Sequence, residues 1–559
     1  MAHPPKARGP VRDFLAALRR CRGDDRRKAY AAERRRLDAA TNRPKLDPRF
    51  REEMLRGREE RNVQIGTLAA APSLAALVPL RDIFRQHAVI TGASGAGKTR
   101  MVLGVAQWLF RFLASDPNAF GLVAQDHKDE FVPLLQEILG EVLAELPGPR
   151  ANALLDRLVV VNPFSRTALV PMQVLQPEPD VDPELQAYEL ASVINRLGGA
   201  PVGPKQDDLL YHALWVAILK NKIERSNVTL AELTAALCDL EELGRWAFEL
   251  PSPELREFFA AGPRLAHASL DGVRARLHRL LRLPSTRLML SARESLPFHD
   301  LLGSKLLMVN VGSPPLGCED IGRFWASFLL LKLSRAIFQR EHCEAERPIL
   351  VMADEWQEAL LAGADVAERF ERLLSMARSR GVALWLISQS FAVASRISPS
   401  LPKVVATNTS MQVLFRAAPE DARAMQHLLP VTGRRLRDSV APWEERPRSP
   451  FLTEAEERER LIHDVAQLPE RHFYFWNRLR PWPAQLVRAL DVSPRPPARE
   501  TEEMTRRLRD GSLALPIARL EAEVRGPGRG EARPFQPVRT AEPPAFARPS
   551  RRPRARRGE

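Results

Sequence analysis

The sequence predicts an α/β fold, a mainly parallel central sheet split by an all-helical inserted domain, and three observations lead there. A glycine-rich loop, Gly92-Ala-Ser-Gly-Ala-Gly-Lys-Thr99, follows the apolar run His87-Ala-Val-Ile90 and precedes a helical stretch that includes Trp108. Short, nearly continuous apolar runs alternate with helical stretches on both sides of the chain's middle, the pattern of parallel strands covered on both faces. Between those two regions, from roughly Pro183 to Leu296, strand signals give way to helical periodicity.

Taken in order, residues 1–60 are arginine-dense and lack a sustained apolar stripe, so they read as a basic helical or flexible arm. Residues 61–168 form the first part of the sheet domain, with strands expected at His87–Ile90, Phe120–Gln125 and Leu158–Asn162 and a helix over Phe131–Leu146. Residues 169–300 form the helical insertion. Asp207–Lys220 has helical periodicity, and Thr229-x-x-Glu232 is a capping box opening a helix over Leu233–Trp246. Residues 301–495 complete the sheet, with strands at Lys305–Asn310, Pro348–Ala353, Val382–Ser388, Ser410–Phe415 and His472–Trp476. Residues 496–559 are charged, then rich in proline and arginine, and read as a disordered tail.

The glycine-rich loop matches G-x-x-x-x-G-K-[ST]. Gly92, Ala93, Ser94, Gly95, Ala96 and Gly97 would wrap backbone N–H groups around phosphates, which needs glycines free to take positive φ, and Arg100 adjoins them. Lys98 would meet the β and γ phosphates, and the Thr99 hydroxyl would ligate Mg²⁺. The fold class is therefore that of a P-loop NTPase (RecA-like), with ATP and Mg²⁺ as cofactors. Hydrolysis further requires an aimed water and neutralised charge. Pro348-Ile-Leu-Val-Met-Ala-Asp354-Glu355 supplies an apolar strand ending in two acids: Asp354 for the Mg²⁺, Glu355 for the water. Gln389, ending the run Val382–Ser388, would sense the γ phosphate. Arg378 and Arg380, just before that run, are either a transition-state finger or a pair of solvated helix-terminal arginines.

Composition bounds what this core can be part of. The 559 residues include 83 Lys/Arg and 69 Asp/Glu, a formal charge of +14. The ends carry the excess: 18 against 10 in residues 1–60 and 10 against 3 in residues 524–559, leaving 55 against 56 between them. Basic arms bind phosphate backbones or acidic partners without reading sequence. Cys21, Cys238, Cys318 and Cys343 are far apart, which excludes a disulfide framework or a cysteine zinc site. No run of eighteen apolar residues occurs, so neither a membrane span nor a signal peptide is expected, and the expected location is cytoplasmic.

The order of motifs resembles the FtsK and HerA superfamily of DNA-pumping ATPases. It runs from the P-loop through Ala124-Gln-Asp126-His-Lys128, Val161-Asn-Pro163-Phe and Ala353-Asp-Glu355 to Arg378-Ser-Arg-Gly-Val-Ala-Leu-Trp-Leu-Ile-Ser-Gln389. Within it, the helical insertion and the late Asn408-Thr…Phe415-Arg416…Asp421-Ala segment look most like the coupling proteins of type IV secretion and conjugation. The resemblance covers about Val63 to Asp491. It implies a homohexameric ring threading DNA, with Arg378 as a finger acting across a subunit interface. Two departures stand out: coupling proteins usually begin with transmembrane helices, and their common Asp-Pro-Lys-Gly is Asp126-His-Lys128-Asp here.

The expected function is thus an ATP-driven DNA pump of the coupling-protein type. It would contact mainly the DNA backbone and work with a secretion channel or relaxase, through which it could reach a membrane. The alternatives are a HerA-like DNA-processing or defence translocase working with a nuclease, and an ATP-gated protein adaptor that moves no DNA. Arg274, Arg276, Arg279 and Arg282 are candidate phosphate contacts, with a solvated helix face as the preferred reading.

Overall fold

A computed structural model describes residues 62–197, 202–260, 267–293, 298–340, 347–361, 364–425, 428–431, 452–480, 484–492 and 502–525. The arm over 1–60 and the tail beyond Arg525 lie outside the described residues.

Thirteen strands are described: β1 (Asn62–Leu68), β2 (Ala71–Pro79), β3 (His87–Thr91), β4 (Gly121–Asp126), β5 (Leu158–Val161), β6 (Ala168–Leu169), β7 (Leu306–Asn310), β8 (Ile349–Asp354), β9 (Val382–Ser388), β10 (Thr409–Phe415), β11 (His472–Asn477), β12 (Gln485–Arg488) and β13 (Leu515–Pro516). Eleven of them form one sheet in the order β2-β1-β12-β11-β10-β3-β9-β8-β4-β7-β5, while β6 and β13 pair separately. The seven strands from β10 to β5 are mutually parallel. The other four join antiparallel. This is the P-loop NTPase fold, with a mainly parallel sheet.

The apolar runs become central strands because both faces are covered. In β3, Ala88 and Ile90 point into one core and Val89 into the other; in β8, Leu350 and Met352 oppose Val351 and Ala353 in the same way. His87 opens β3 and is buried, and its Nδ1 accepts from the Leu384 N–H at 2.9 Å. Burial, followed by the nearby Arg378 charge, pushes its pKa down to about 4, so the ring accepts as neutral imidazole.

Between β6 and β7 the described residues are helical and contain no strand. The Thr229–Glu232 capping box forms, but the helix it opens stops at Ala236. A second helix, Leu240–Glu249, starts from Asp239, whose carboxylate accepts from the N–H groups of Glu241 and Glu242. The single helix expected over Leu233–Trp246 is therefore two, because Asp239 caps more strongly than it propagates. The insertion is tied to the sheet domain by charge: Glu178 pairs with Lys332 and Arg335, and Glu189 with Arg335 and Arg369.

Within the region expected to be a tail from residue 496, residues 502–525 are packed structure. Glu502–Asp510 and Ile517–Arg525 are helices, joined through β13. Leu508 and Leu520 are buried, and Gly511 bridges to Val159 at the sheet edge. In this arginine-rich stretch a few leucines at helical spacing suffice to dock it, a stripe too thin to separate from solvated charge by composition. No described helix is long and apolar enough to cross a membrane.

Candidate nucleotide site

Parallel strands place their C-terminal ends on one edge, and this edge gathers the candidate residues. β9 lies between β3 and β8, with Thr91 opposite Ser388 and Asp354 opposite Ile387. The P-loop, Asp354–Glu355 and Gln389 therefore leave three adjacent strands side by side, with the end of β4 next in line.

The P-loop runs from β3 into the helix Lys98–Ser115, whose first N–H groups have no intrahelical acceptor and suit an anion. Gly97 sits at φ 108, and a Cβ there would come within 3.1 Å of the Arg471 Cα; at Gly92 it would lie 2.5 Å from the Phe415 Cβ. Conformation requires glycine at both positions, and at Gly92 space does as well. Thr99 is half-buried at the helix start, and Ser94 and Gly95 are exposed at the loop tip. Lys98 is buried and donates to the carbonyls of Gly92 (2.6 Å) and Ala93 (3.0 Å). Burial lowers its pKa, while Glu355 and Asp354 act in the opposite direction. The Arg100 guanidinium donates to the Val492 carbonyl at 2.8 Å.

Glu355 is buried and adopts the left-handed backbone region at φ 48, where a non-glycine residue is strained. Its Oε1 accepts from Lys128 Nζ at 2.9 Å; its Oε2 accepts from Gln357 Nε2 at 2.5 Å and from the Gln389 N–H at 3.2 Å. The Asp354 side chain, by contrast, makes no hydrogen bond or ion pair among the described residues. Its pKa is pushed up to about 7, by burial first and then by the charges of Glu355 and Asp126, with Lys98 and Lys128 offsetting part of the rise. An unpartnered carboxyl among other acids, near enough to the P-loop to act on the Lys98 charge, fits Mg²⁺, which takes one or two protein oxygens and completes its shell with phosphate and water. A cluster able to hold a metal by protein ligands alone is absent among the described residues.

Three contributors escaped the sequence reading. Lys128 meets Glu355 from the turn after β4. Asp421 accepts from Ser390 Oγ at 2.7 Å and from the Ala392 N–H at 3.2 Å, fixing the chain that follows Gln389. Arg471 donates its backbone N–H to the Ala96 carbonyl at 2.9 Å, bracing the P-loop from the start of β11. Lys128 and Asp421 stood in motifs that carried the resemblance, with no role attached to them; Arg471 had no signal in the sequence.

The structure does not bring Arg378 to this site. Arg378 lies in the 3₁₀ turn Ala377–Arg380, before β9 begins, and its charge is felt by His87 at the start of β3. Six strand rises separate Val382 from Ser388, about 20 Å, so Arg378 stands at the opposite edge of the sheet from its own P-loop. It is exposed and makes no side-chain hydrogen bond or ion pair among the described residues, whereas Arg380 is tied to the Arg340 carbonyl. Of the insertion arginines, Arg279 pairs with Asp320, Arg276 donates to Gln206 and Gly272, and Arg274 lies 3.7 Å from Asp271. Most of that row is engaged within the molecule, with Arg274 and Arg276 half-buried, so it is neither a freely solvated face nor a row of unengaged phosphate contacts.

Similarity to solved structures decides the architecture. The bacterial conjugative coupling protein TrwB, in its unbound monoclinic form, superposes with a TM-score of 0.51 at 14% identity, over 80% of this chain and 93% of that one. The chain shares its fold with that coupling protein. The plasmid coupling protein TrwB in complex with the GTP analogue GDPNP is also similar (13% identity, 80% of this chain, 93% of that one, TM-score 0.48). So is VirB4 of Thermoanaerobacter pseudethanolicus (13% identity, 77% of this chain, 96% of that one, TM-score 0.47). No protein-family model matches the chain, and no curated protein matches it.

Proposed function

We propose that the chain is an ATP-driven DNA pump of the conjugative coupling-protein type, working as a ring in which each nucleotide is held between two copies. One observation supports this above the rest: the P-loop edge carries Lys98, Thr99, Asp354, Glu355 and Gln389, yet Arg378, exposed and without a side-chain hydrogen bond or ion pair among the described residues, sits at the opposite end of β9, out of reach of its own P-loop. Lys98 would neutralise the phosphates, and Glu355 would polarise the attacking water. Gln389, joined to Glu355 through its N–H, would read the γ phosphate. Thr99 and Asp354 would hold Mg²⁺, which screens the developing phosphate charge when bound. Arg378 of the adjacent copy would complete the site.

The test is ATP hydrolysis with and without single- or double-stranded DNA, alongside the oligomeric state. DNA should stimulate hydrolysis several-fold, and because the contacts are to backbone phosphates, raising salt from roughly 50 to 200 mM should remove most of the stimulation. Hydrolysis indifferent to every DNA tested, from a chain that stays monomeric with ATP and DNA, would sink the pump reading.

Asp354 adds a pH prediction. A proton on this carboxyl competes with Mg²⁺, and with its pKa near 7 the competition falls within the working range. The Mg²⁺ concentration needed for half-maximal hydrolysis should therefore drop as pH rises from about 6 to about 8. A flat dependence would remove Asp354 from the metal site.

A further inference from the structure

The Glu355 carboxylate is held from three sides. A carboxylate offers about four acceptor sites; Lys128, Gln357 and the Gln389 N–H take three, leaving about one for a water. Orientation is then decided by the strongest of the three, the charge-assisted contact from Lys128.

The turn that delivers Lys128 is unusually constrained. Asp126 is fully buried, and its Oδ1 accepts from the N–H groups of Lys128 (2.8 Å) and Asp129 (3.0 Å), its Oδ2 from those of Phe131 and Val132 (both 2.8 Å). Asp129, at φ 61, is held by Asn310 Nδ2 and by Ser313 Oγ at 2.6 Å. Gly312 is pressed against the same backbone, so that a Cβ there would lie 2.0 Å from the Asp129 nitrogen and 2.5 Å from that of Lys128. Four carboxylate bonds and a glycine contact fix where the lysine stem begins. Only its side chain, about a third exposed, is left to reach across to the buried acid.

We propose that Lys128 is the positioning residue for Glu355: from a clamped turn after β4, its ammonium sets the carboxylate so that one lone pair faces the γ-phosphate water. The proposal rests on the reading of Glu355 as the water-polarising acid. Misplacing a catalytic group by about 1 Å can cost roughly 100-fold in rate, whereas nucleotide binding by the P-loop has no need of the contact.

The full-length chain with Lys128→Ala should therefore show kcat for ATP lowered by about 10- to 100-fold, with the affinity for a fluorescent ATP analogue changed by no more than about threefold. Lys128→Arg should restore part of kcat, since it returns a cation to the same turn. Gly312→Ala, whose added Cβ would meet the Lys128–Asp129 backbone, should reproduce the loss by displacing the turn. Unchanged kcat in Lys128→Ala, or a fall in affinity that matches the fall in kcat, overturns the positioning role. So does an Arg variant no better than Ala at equal melting temperature. A wild-type chain that hydrolyses nothing removes the reading of Glu355 itself, and Lys128 with it; an active wild type with indifferent Lys128 variants removes Lys128 alone.

Discussion

Glu355→Gln should bind ATP about as well as the wild type and hydrolyse it at least about 100-fold more slowly, the scale on which a positioned acid–base group contributes. The substitution keeps the volume of the side chain but removes the anion that faces water. It also meets three donors with a group that can accept at only one atom. The amide nitrogen must then oppose either Lys128 Nζ or the pair formed by Gln357 Nε2 and the Gln389 N–H. That mismatch costs on the order of 1–3 kcal/mol, so the variant should melt earlier than the wild type while remaining folded at assay temperature. The measurements are single-turnover hydrolysis and equilibrium nucleotide binding on the same preparation. Retention of more than about a tenth of the wild-type rate would take Glu355 out of the chemistry. Loss of nucleotide binding in parallel with rate would assign the residue to the architecture of the pocket instead.

The backbone of Glu355 belongs to the same argument. A glutamate held at φ 48 costs on the order of 1–3 kcal/mol relative to relaxed backbone. The surroundings supply what holds it there: three hydrogen bonds to its carboxylate, and the Glu358 N–H on its carbonyl at 2.9 Å. Strain maintained at one acid and not at its neighbour Asp354 fits two carboxylates with different tasks, one fixed to aim a water and one left free to take a metal.

How much of this was legible in the sequence depends on the range of the interaction. The P-loop, the acid pair and Gln389 sit at strand ends, and a strand end is marked locally by an apolar run followed by a polar residue. The sequence alone therefore located Lys98, Asp354 and Gln389 at junctions that the sheet later aligns. What it could not show is adjacency. That β9 separates β3 from β8, and so brings the Gln389 N–H onto Glu355, follows from strand order, which no local pattern encodes. Lys128 was visible only as part of a motif, since its partner lies 227 residues away. The antiparallel strands β1, β2 and β12 escaped for another reason. They lie on one side of the sheet; in β1 and β2 the alternation is broken by glycine, proline and exposed positions, and β12 is only four residues long. The docked helices after residue 501 escaped because arginine content outweighed the few leucines that anchor them.

Arg378→Ala should abolish hydrolysis almost completely, by the roughly 10³- to 10⁵-fold that an arginine finger contributes, and the loss should be repairable by a second copy. The geometry makes this an unusually sharp test. About 20 Å of β9 separates Arg378 from the γ-phosphate edge of its own subunit, so no rearrangement short of unfolding the sheet lets it act in cis. Its guanidinium has no hydrogen bond or ion pair among the described residues, so removing it should leave the melting temperature within about a degree or two, as for a surface substitution. Mixed with Lys98→Ala subunits, which cannot hold nucleotide productively but carry an intact arginine, Arg378→Ala subunits should recover part of the wild-type rate, because some interfaces then pair a sound P-loop with a sound finger. Arg380→Ala is the matched control: it removes a neighbouring charge already bound to the Arg340 carbonyl, and its effect should appear in stability and not in rescue. If verified mixed oligomers show no recovery, the nucleotide site does not span two copies, and the ring loses the one residue that requires it. If Arg378→Ala alone keeps its activity, the exposed arginine is a solvated helix terminus. Charge neutralisation at the γ phosphate then rests on Lys98 and the metal, within a single subunit.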